Sequence, residues 1–236
     1  MTTEIMEKVN EYIIPYHWAW EGFYKESYEW PVKKILPYIN KTDKVLDVGC
    51  GDGKLTYFLA QKSNNVTGVD NQELPLQFAK LIFSKLKLKI KFKKDDATKL
   101  GFKDESFDKV TCFDMIEHVP VEMAKKVVEE INRVLKKYGM LILTTPNRKE
   151  LRGRIFGHKI IDKHYYEYDI NELKQMLEQQ GFTNIKFNGY YLPLPIPKIE
   201  HYANIFPIRG IFKFLIKAGN NFPNLATGIL VTATKK

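Results

Sequence analysis

The chain has 236 residues, 44% of them hydrophobic and 28% charged, which suits a single soluble core with elaborations. No run of about eighteen apolar residues occurs, so a bilayer-spanning helix is excluded, and the acid-containing start MTTEIMEKVNEYIIP argues against a secretory signal and for a cytoplasmic protein. A net charge of +9 admits nucleic acid, an anionic lipid surface or an acidic substrate as partner, and equally a lysine-rich surface that serves solubility alone.

In chain order, residues 1–40 carry many aromatics, among them Tyr16, His17, Trp18, Trp20 and Tyr28, with prolines at 15, 31 and 37. They are expected to form a helical cap ahead of the main domain, 41–236. From Lys44 a regular alternation begins. KVLDVG precedes the helix KLTYFLAQ, and NVTGVD precedes LPLQFAKLIFSKL. LKIKF and a loop lead to FDKVTCFDM, the helix MAKKVVEEINRVLK and the strand GMLILTTP. Apolar strands alternating with amphipathic helices imply a parallel sheet covered on both faces, a doubly wound α/β domain. Lys85, Lys87, Lys89 and Lys91 alternate with apolar residues, which predicts a protected edge strand with every lysine on one face. After Pro146 come the helix INELKQMLEQQ with Gly181 just beyond it, the strand NIKFNGYY and the final strand ATGILVTATKK. Segments 147–170 and 191–225 remain as insertions on the substrate side. Cys50 and Cys112 sit in apolar contexts and read as reduced, buried thiols.

The stretch VLDVGCGDG places three glycines in five residues directly after a strand. A dinucleotide fingerprint needs its third glycine at position 54, where Lys54 stands, and no Gly-Lys-Ser/Thr closes a phosphate loop. Asp47 and Asp52 also oppose a phosphate, since a carboxylate about 4 Å away costs on the order of 4 kcal/mol at an effective dielectric of 20. The same acids favour a cationic nucleoside. Asp70 ends the second strand, where a carboxylate can take both ribose hydroxyls, and Asp96 with Ala97 follows the third, beside an adenine edge. Each acid alone reads as an ordinary strand-to-helix turn acid or N-cap, and the three together behind this glycine loop point to one crevice.

These segments, with SFDKVTCFDMIEHV and GMLILTTPN, resemble the ordered motifs of class I S-adenosylmethionine-dependent methyltransferases over about residues 40–190. The resemblance implies a seven-stranded sheet with an antiparallel last strand. It also implies S-adenosylmethionine as cofactor, with Asp47, Gly49, Cys50, Gly51 and Gly53 around the methionine moiety. Asp70 and Asn71 would then meet the ribose, Asp96 and Ala97 the adenine, and Phe113 the pocket wall.

Methyl transfer from a sulfonium needs no metal, only alignment and removal of one proton. In FDMIEHVP, Asp114, Glu117 and His118 share a face if the segment is helical. They form the candidate catalytic set, with His118 as base. The alternative is a histidine that merely hydrogen-bonds in its loop. The loop is also similar to that of ubiquinone-pathway O-methyltransferases, which reads Glu-x-x-Glu-His, and a related loop in small-RNA 2′-O-methyltransferases holds a divalent ion. No metal is assigned here, although His158 or His164 could complete such a site. His164, Tyr165 and Tyr166 either contact substrate or pack a lid. Tyr16, His17 and Trp20 either close over the cofactor or belong to a core. The leading expectation is O-methylation of a small or lipid-linked acceptor, with the basic, apolar 191–225 segment shielding it or resting on an anionic membrane through Arg209, Lys213 and Lys217. An RNA methyltransferase and a non-catalytic cofactor-binding module are the alternatives.

Overall fold

The computed structural model describes residues 15–88, 90–196, 199–205 and 208–236, with the Tyr16 side chain outside the description. Residues 1–14 of the expected cap, and Lys89, therefore lie outside the described residues. Seven strands form one sheet in the order β3-β2-β1-β4-β5-β7-β6. They are β1 (Lys44–Val48), β2 (Asn65–Asp70), β3 (Lys91–Lys94), β4 (Phe107–Phe113), β5 (Leu135–Pro146), β6 (Phe182–Tyr190) and β7 (Gly228–Lys235). Strands β1 to β5 pair in parallel, and β7 runs antiparallel to both β5 and β6. The sheet is thus doubly wound with an antiparallel last strand. Its order reverses between β1 and β4, where a crevice opens beyond the carboxyl ends of the strands.

Strand alternation divides the core between the two faces. Leu46, Val48, Leu141, Leu143 and Val231 pack with α4 (Val121–Val134) and α6 (Ile170–Gln179). Val45, Ile142 and Leu230 face α1 (Gly22–Ile35) and α2 (Lys54–Ala60). These inward residues are aliphatic on both faces, which explains why the strands read as continuous apolar runs. Helix α6 starts at the capping box of Asp169 and Glu172 and is followed by Gly181 at φ 79°, the left-handed state that a helix stop favours.

The lysine-alternating segment differs from its expected form. Helix α3 (Glu73–Lys85) continues through Lys85, and Lys87 turns at φ 55°. Strand β3 begins only at Lys91, though it does form a sheet edge. The helix prevails because Leu76, Ala79 and Phe83 bury one helical face, which outweighs a local period-two pattern. Two insertions follow strands β5 and β6. One contains α5 (Leu151–Phe156). The other contains α7 (Ile208–Ala218), whose Phe212, Leu215 and Ile216 pack with Phe23 of α1 and Tyr191.

Candidate active site

After β1 the chain turns through Gly49, Gly51 and Gly53 at φ 72°, 52° and 79° before entering α2. The amides of Gly49 and Cys50 donate to the Val69 carbonyl at 2.8 and 2.9 Å, tying the loop to the end of β2. Asp70 completes the tie, because its Oδ2 accepts from the Gly51 amide and its Oδ1 from the Gln72 amide, both at 2.9 Å. Burial raises the Asp70 carboxyl above its usual range, against the pull of those amides. Loop and acid form one rigid unit.

This unit borders a cavity of about 580 Å³, a volume suited to a nucleoside-sized ligand. Gly49, Cys50, Gly51, Asp70, Asn71, Asp96, Ala97 and Phe113 line it, as do Asp114 and His118. The hydrogen bonds from the Thr98 amide (2.8 Å) and hydroxyl (2.7 Å) hold the Asp96 carboxyl below its usual range. Among the described residues the wall carries Asp52, Asp70, Asp95, Asp96 and Asp114 against one lysine, Lys163. That charge pattern fits a cationic nucleoside such as S-adenosylmethionine and opposes a pyrophosphate.

Asp47 and Gly53 do not reach this cavity. Asp47 is buried beneath the loop, where it accepts from Thr56 Oγ1 at 2.6 Å and Thr111 Oγ1 at 2.7 Å. Burial pushes its carboxyl up to about 6. The residue braces β1 against β4 and α2. A Cβ on Gly53 would lie 2.9 Å from Phe83 Cε2 and 3.2 Å from Phe92 Cζ, so this glycine serves packing between the loop and α3.

The segment 15–35 supplies the opposite wall. His17 stacks on Tyr28 at 4.9 Å between centroids, Trp20 meets both edge-on at 5.0 Å, and all three line the cavity. Two contacts fasten the segment to the glycine loop. His17 Nδ1 lies 3.2 Å from Asp52 Oδ2, and Trp18 Nε1 donates to the Asp52 carbonyl at 3.2 Å. Buried Lys54, at the start of α2, pairs with buried Glu29 at 3.0 Å. His17 and Trp20 thus take the cavity-wall alternative and not the core one.

The Asp114-Glu117-His118 set does not share one helical face. Asp114 occupies a left-handed conformation at φ 45°, and only Ile116–His118 forms a 3₁₀ turn. Asp114 and His118 consequently line the cavity, while Glu117 is buried behind them. Burial, and then the charge of Asp114, push the Glu117 carboxyl well above its usual range. Its Oε2 accepts from Thr145 Oγ1 at 3.0 Å, whereas Oε1 is buried without a hydrogen-bond partner among the described residues. His118 is exposed at the rim, with Nδ1 3.4 Å from the Lys163 carbonyl and its ring edge-on to His164 at 4.7 Å.

Ligand atoms of Glu117, His118 and His164 all lie within 4.8 Å of one another, the donor set of a divalent site. His164 Nδ1 is 2.7 Å from Glu167 Oε1, and Ile161 donates its amide to the same oxygen. His158 lies on the far side, with Nε2 2.9 Å from Glu167 Oε2, so His164 and not His158 joins the cluster. Burial raises the Glu167 carboxyl, but its histidine and amide partners outweigh that and hold it below its usual range. A carboxylate behind a ligating histidine is the common second support of a metal site. Tyr165 lines the cavity, while Tyr166 turns away to Arg148 at 2.9 Å and Glu172 at 2.7 Å.

The fold and the acidic crevice define a nucleoside-binding α/β domain, and comparison with known proteins narrows the class. Residues 39–181, more than half of the chain, match the family model described as a methyltransferase domain, and the chain belongs to that family. The methyl donor of this class is S-adenosylmethionine, and the crevice residues above fit it. Over 106 residues the chain is 40% identical to a ubiquinone biosynthesis O-methyltransferase of Dechloromonas aromatica and 38% identical to one of Pseudomonas aeruginosa. Those alignments cover 44% of this chain and 45% of each relative, so the match spans less than half of their length. The fold is shared with a SAM-dependent methyltransferase of Archaeoglobus fulgidus (20% identity, TM-score 0.65, 90% of this chain and 98% of that one). It is also shared with a protein of Pyrococcus horikoshii (21%, 0.64, 90% and 91%).

Proposed function

We propose that the protein transfers a methyl group from S-adenosylmethionine to a hydroxyl oxygen of a small or lipid-linked acceptor. The observation that carries this reading is that one cavity is walled by the glycine loop with Asp70 and also by Asp114 and His118. Donor and acceptor can therefore meet without a large rearrangement. The names of the two partial-length relatives support oxygen as the acceptor atom.

The bound donor supplies an electrophilic methyl on a positive sulfur. Gly49 and Gly51 let the backbone approach it closely, and Asp70 offers its carboxylate at the sugar end. The aromatic wall of His17, Trp20 and Tyr28 excludes water. A proton on His118 Nδ1, facing the Lys163 carbonyl, leaves the Nε2 lone pair to accept the acceptor's proton.

A second reading of the same loop is favoured by the buried Glu117 Oε1, which has no hydrogen-bond partner among the described residues. Glu117, His118 and His164 would hold a divalent cation, which makes a bound hydroxyl more acidic. The two uses of His118 exclude each other, because a ligating nitrogen has no lone pair left for a proton.

The lipid-linked form of the acceptor draws support from the insertions. Ile160, Ile161 and Tyr165 on one, and Ile211 and Phe214 on the other, expose apolar side chains. Residues 201–225 carry Arg209, Lys213 and Lys217 and no acid, a pattern that suits an anionic bilayer surface. Among the described residues no helix is long and apolar enough to cross a membrane. Labelled donor incubated with lipid, metabolite and RNA fractions tests the assignment. Label in an alkali-stable ether of the lipid or metabolite pool is the expected result, and label confined to RNA or absent from every pool contradicts it.

A further inference from the structure

Asp114 holds a conformation that a residue with a side chain adopts at a cost, and the residues that keep it there come from distant strands. Its amide donates to the carbonyl (3.1 Å) and hydroxyl (3.0 Å) of Thr144 on β5. Its Oδ1 accepts from the same Thr144 hydroxyl at 2.8 Å and from the Tyr190 hydroxyl at 3.3 Å. Both donors converge on one oxygen. Oδ2 receives no hydrogen bond among the described residues, although the residue lines the cavity.

Tyr190 ends β6, and β7 and β5 separate that strand from β4, which leads into Asp114. The phenol crosses this distance because Gly228 stands opposite Tyr190 in the β6–β7 register. A Cβ at Gly228 would lie 2.1 Å from Tyr190 Cζ and 2.4 Å from its hydroxyl oxygen. A glycine inside a strand weakens it unless something must pass close by, and here the tyrosine ring passes. Trp30 of α1 stacks near the ring at 6.4 Å and 30°.

We infer that Tyr190 is a positioning residue: its hydroxyl, passed through the gap at Gly228, holds the left-handed Asp114 with Oδ1 toward the sheet and Oδ2 toward the cavity, where the carboxylate meets the acceptor's hydroxyl. This rests on the hydroxyl-methylating reading above, and it adds a residue of the edge strand to the acceptor side of the site. The role is separate from donor binding, because neither Tyr190 nor Gly228 lines the donor crevice.

The test compares wild type with Tyr190→Phe and Gly228→Ala by crystal structure, donor affinity, thermal midpoint and turnover of a hydroxyl acceptor. In Tyr190→Phe the Asp114 carboxylate is expected to leave its wild-type orientation, with turnover falling roughly tenfold, as for loss of one hydrogen bond to a charged group. Donor affinity should stay within about twofold, since no donor contact is touched. Gly228→Ala should displace the phenol and reproduce the turnover loss. The double variant should be no worse than the poorer single one, because both remove the same contact. A Tyr190→Phe structure with Asp114 unmoved overturns the inference whatever the acceptor proves to be. So does turnover that is unchanged or that falls only in step with donor affinity. Should wild type methylate no hydroxyl, the proposed reaction fails while the structural comparison still decides the positioning role.

Discussion

Replacing Gly49 with alanine probes the loop on which donor binding depends. Gly49 sits at φ 72°, and a Cβ there would lie 2.5 Å from Met115 Cγ and 2.9 Å from Met115 Cβ. Holding alanine in the left-handed state costs about 1–2 kcal/mol, and pressing a methyl into packed neighbours adds about 1–3 kcal/mol. The sum is about 2–5 kcal/mol, a large share of the usual stability of a domain. Gly181→Ala isolates the first cost, because Gly181 has φ 79° and its nearest neighbour, Asn132 Nδ2, is 3.8 Å from the Cβ position. At about 2–4 °C per kcal/mol for a chain of this size, Gly49→Ala should melt roughly 2–12 °C below Gly181→Ala in differential scanning calorimetry. Met115 follows Asp114 and lines the cavity, so its displacement should also weaken donor binding at least tenfold, about 1.4 kcal/mol. Gly181→Ala should bind donor like wild type. Equal midpoints for the two variants, or unaltered donor affinity in Gly49→Ala, would refute the close-approach argument.

Three further outcomes follow from other parts of the site. Asp47 keeps its proton to about pH 6 when folded, against 3.8 for the ordinary side chain. Its contribution is therefore full below about pH 4 and is lost as pH rises through about 6, on the order of 3 kcal/mol. Asp47→Asn should lack that slope, so the difference between the two stability–pH curves in urea titrations should carry it, and parallel curves would show that the group does not titrate there. If Glu117, His118 and His164 hold a divalent cation, calorimetric titration with manganese or magnesium gives one site that Glu117→Gln and His164→Ala weaken at least tenfold, and absence of heat in wild type, with and without donor, removes the metal reading and leaves His118 as base. Phe214→Glu with Ile211→Glu should abolish co-sedimentation with anionic vesicles while leaving transfer to a soluble acceptor intact, and unchanged partitioning would exclude α7 as the contact.

Legibility in the sequence followed the range of the interactions. Strands β1, β2, β4, β5 and β7 were readable because Val45, Leu46, Val110, Leu141 and Val231 are buried in a two-sided sheet, which leaves aliphatic runs in the sequence. The crevice residues were readable because they are fixed by local turns after those strands. Lys85–Lys91 misled because the period-two pattern is local, whereas the helix buried through Leu76, Ala79 and Phe83 runs on to Lys85 and the strand starts only at Lys91. The bracing role of Asp47 was invisible, since Thr56 and Thr111 come from two other elements. The same holds for Tyr190, whose contact with Asp114 spans 76 residues and whose one local sign is the glycine that opens β7. The cavity-facing role of Tyr28 was masked for another reason: an aromatic helix face looks alike whether it meets a core or a ligand. Glu167 did leave a signal, a carboxylate three residues after His164 inside the insertion.

The account turns on whether the acidic crevice beside Gly49 and Asp70 takes a sulfonium nucleoside. Isothermal titration of the purified protein with S-adenosylmethionine and, separately, with NAD measures this directly. Saturable one-to-one binding of the former, lost at least tenfold in Asp70→Ala, and no heat from the latter is the predicted result. Binding of NAD, or S-adenosylmethionine binding that Asp70→Ala leaves unchanged, would contradict it.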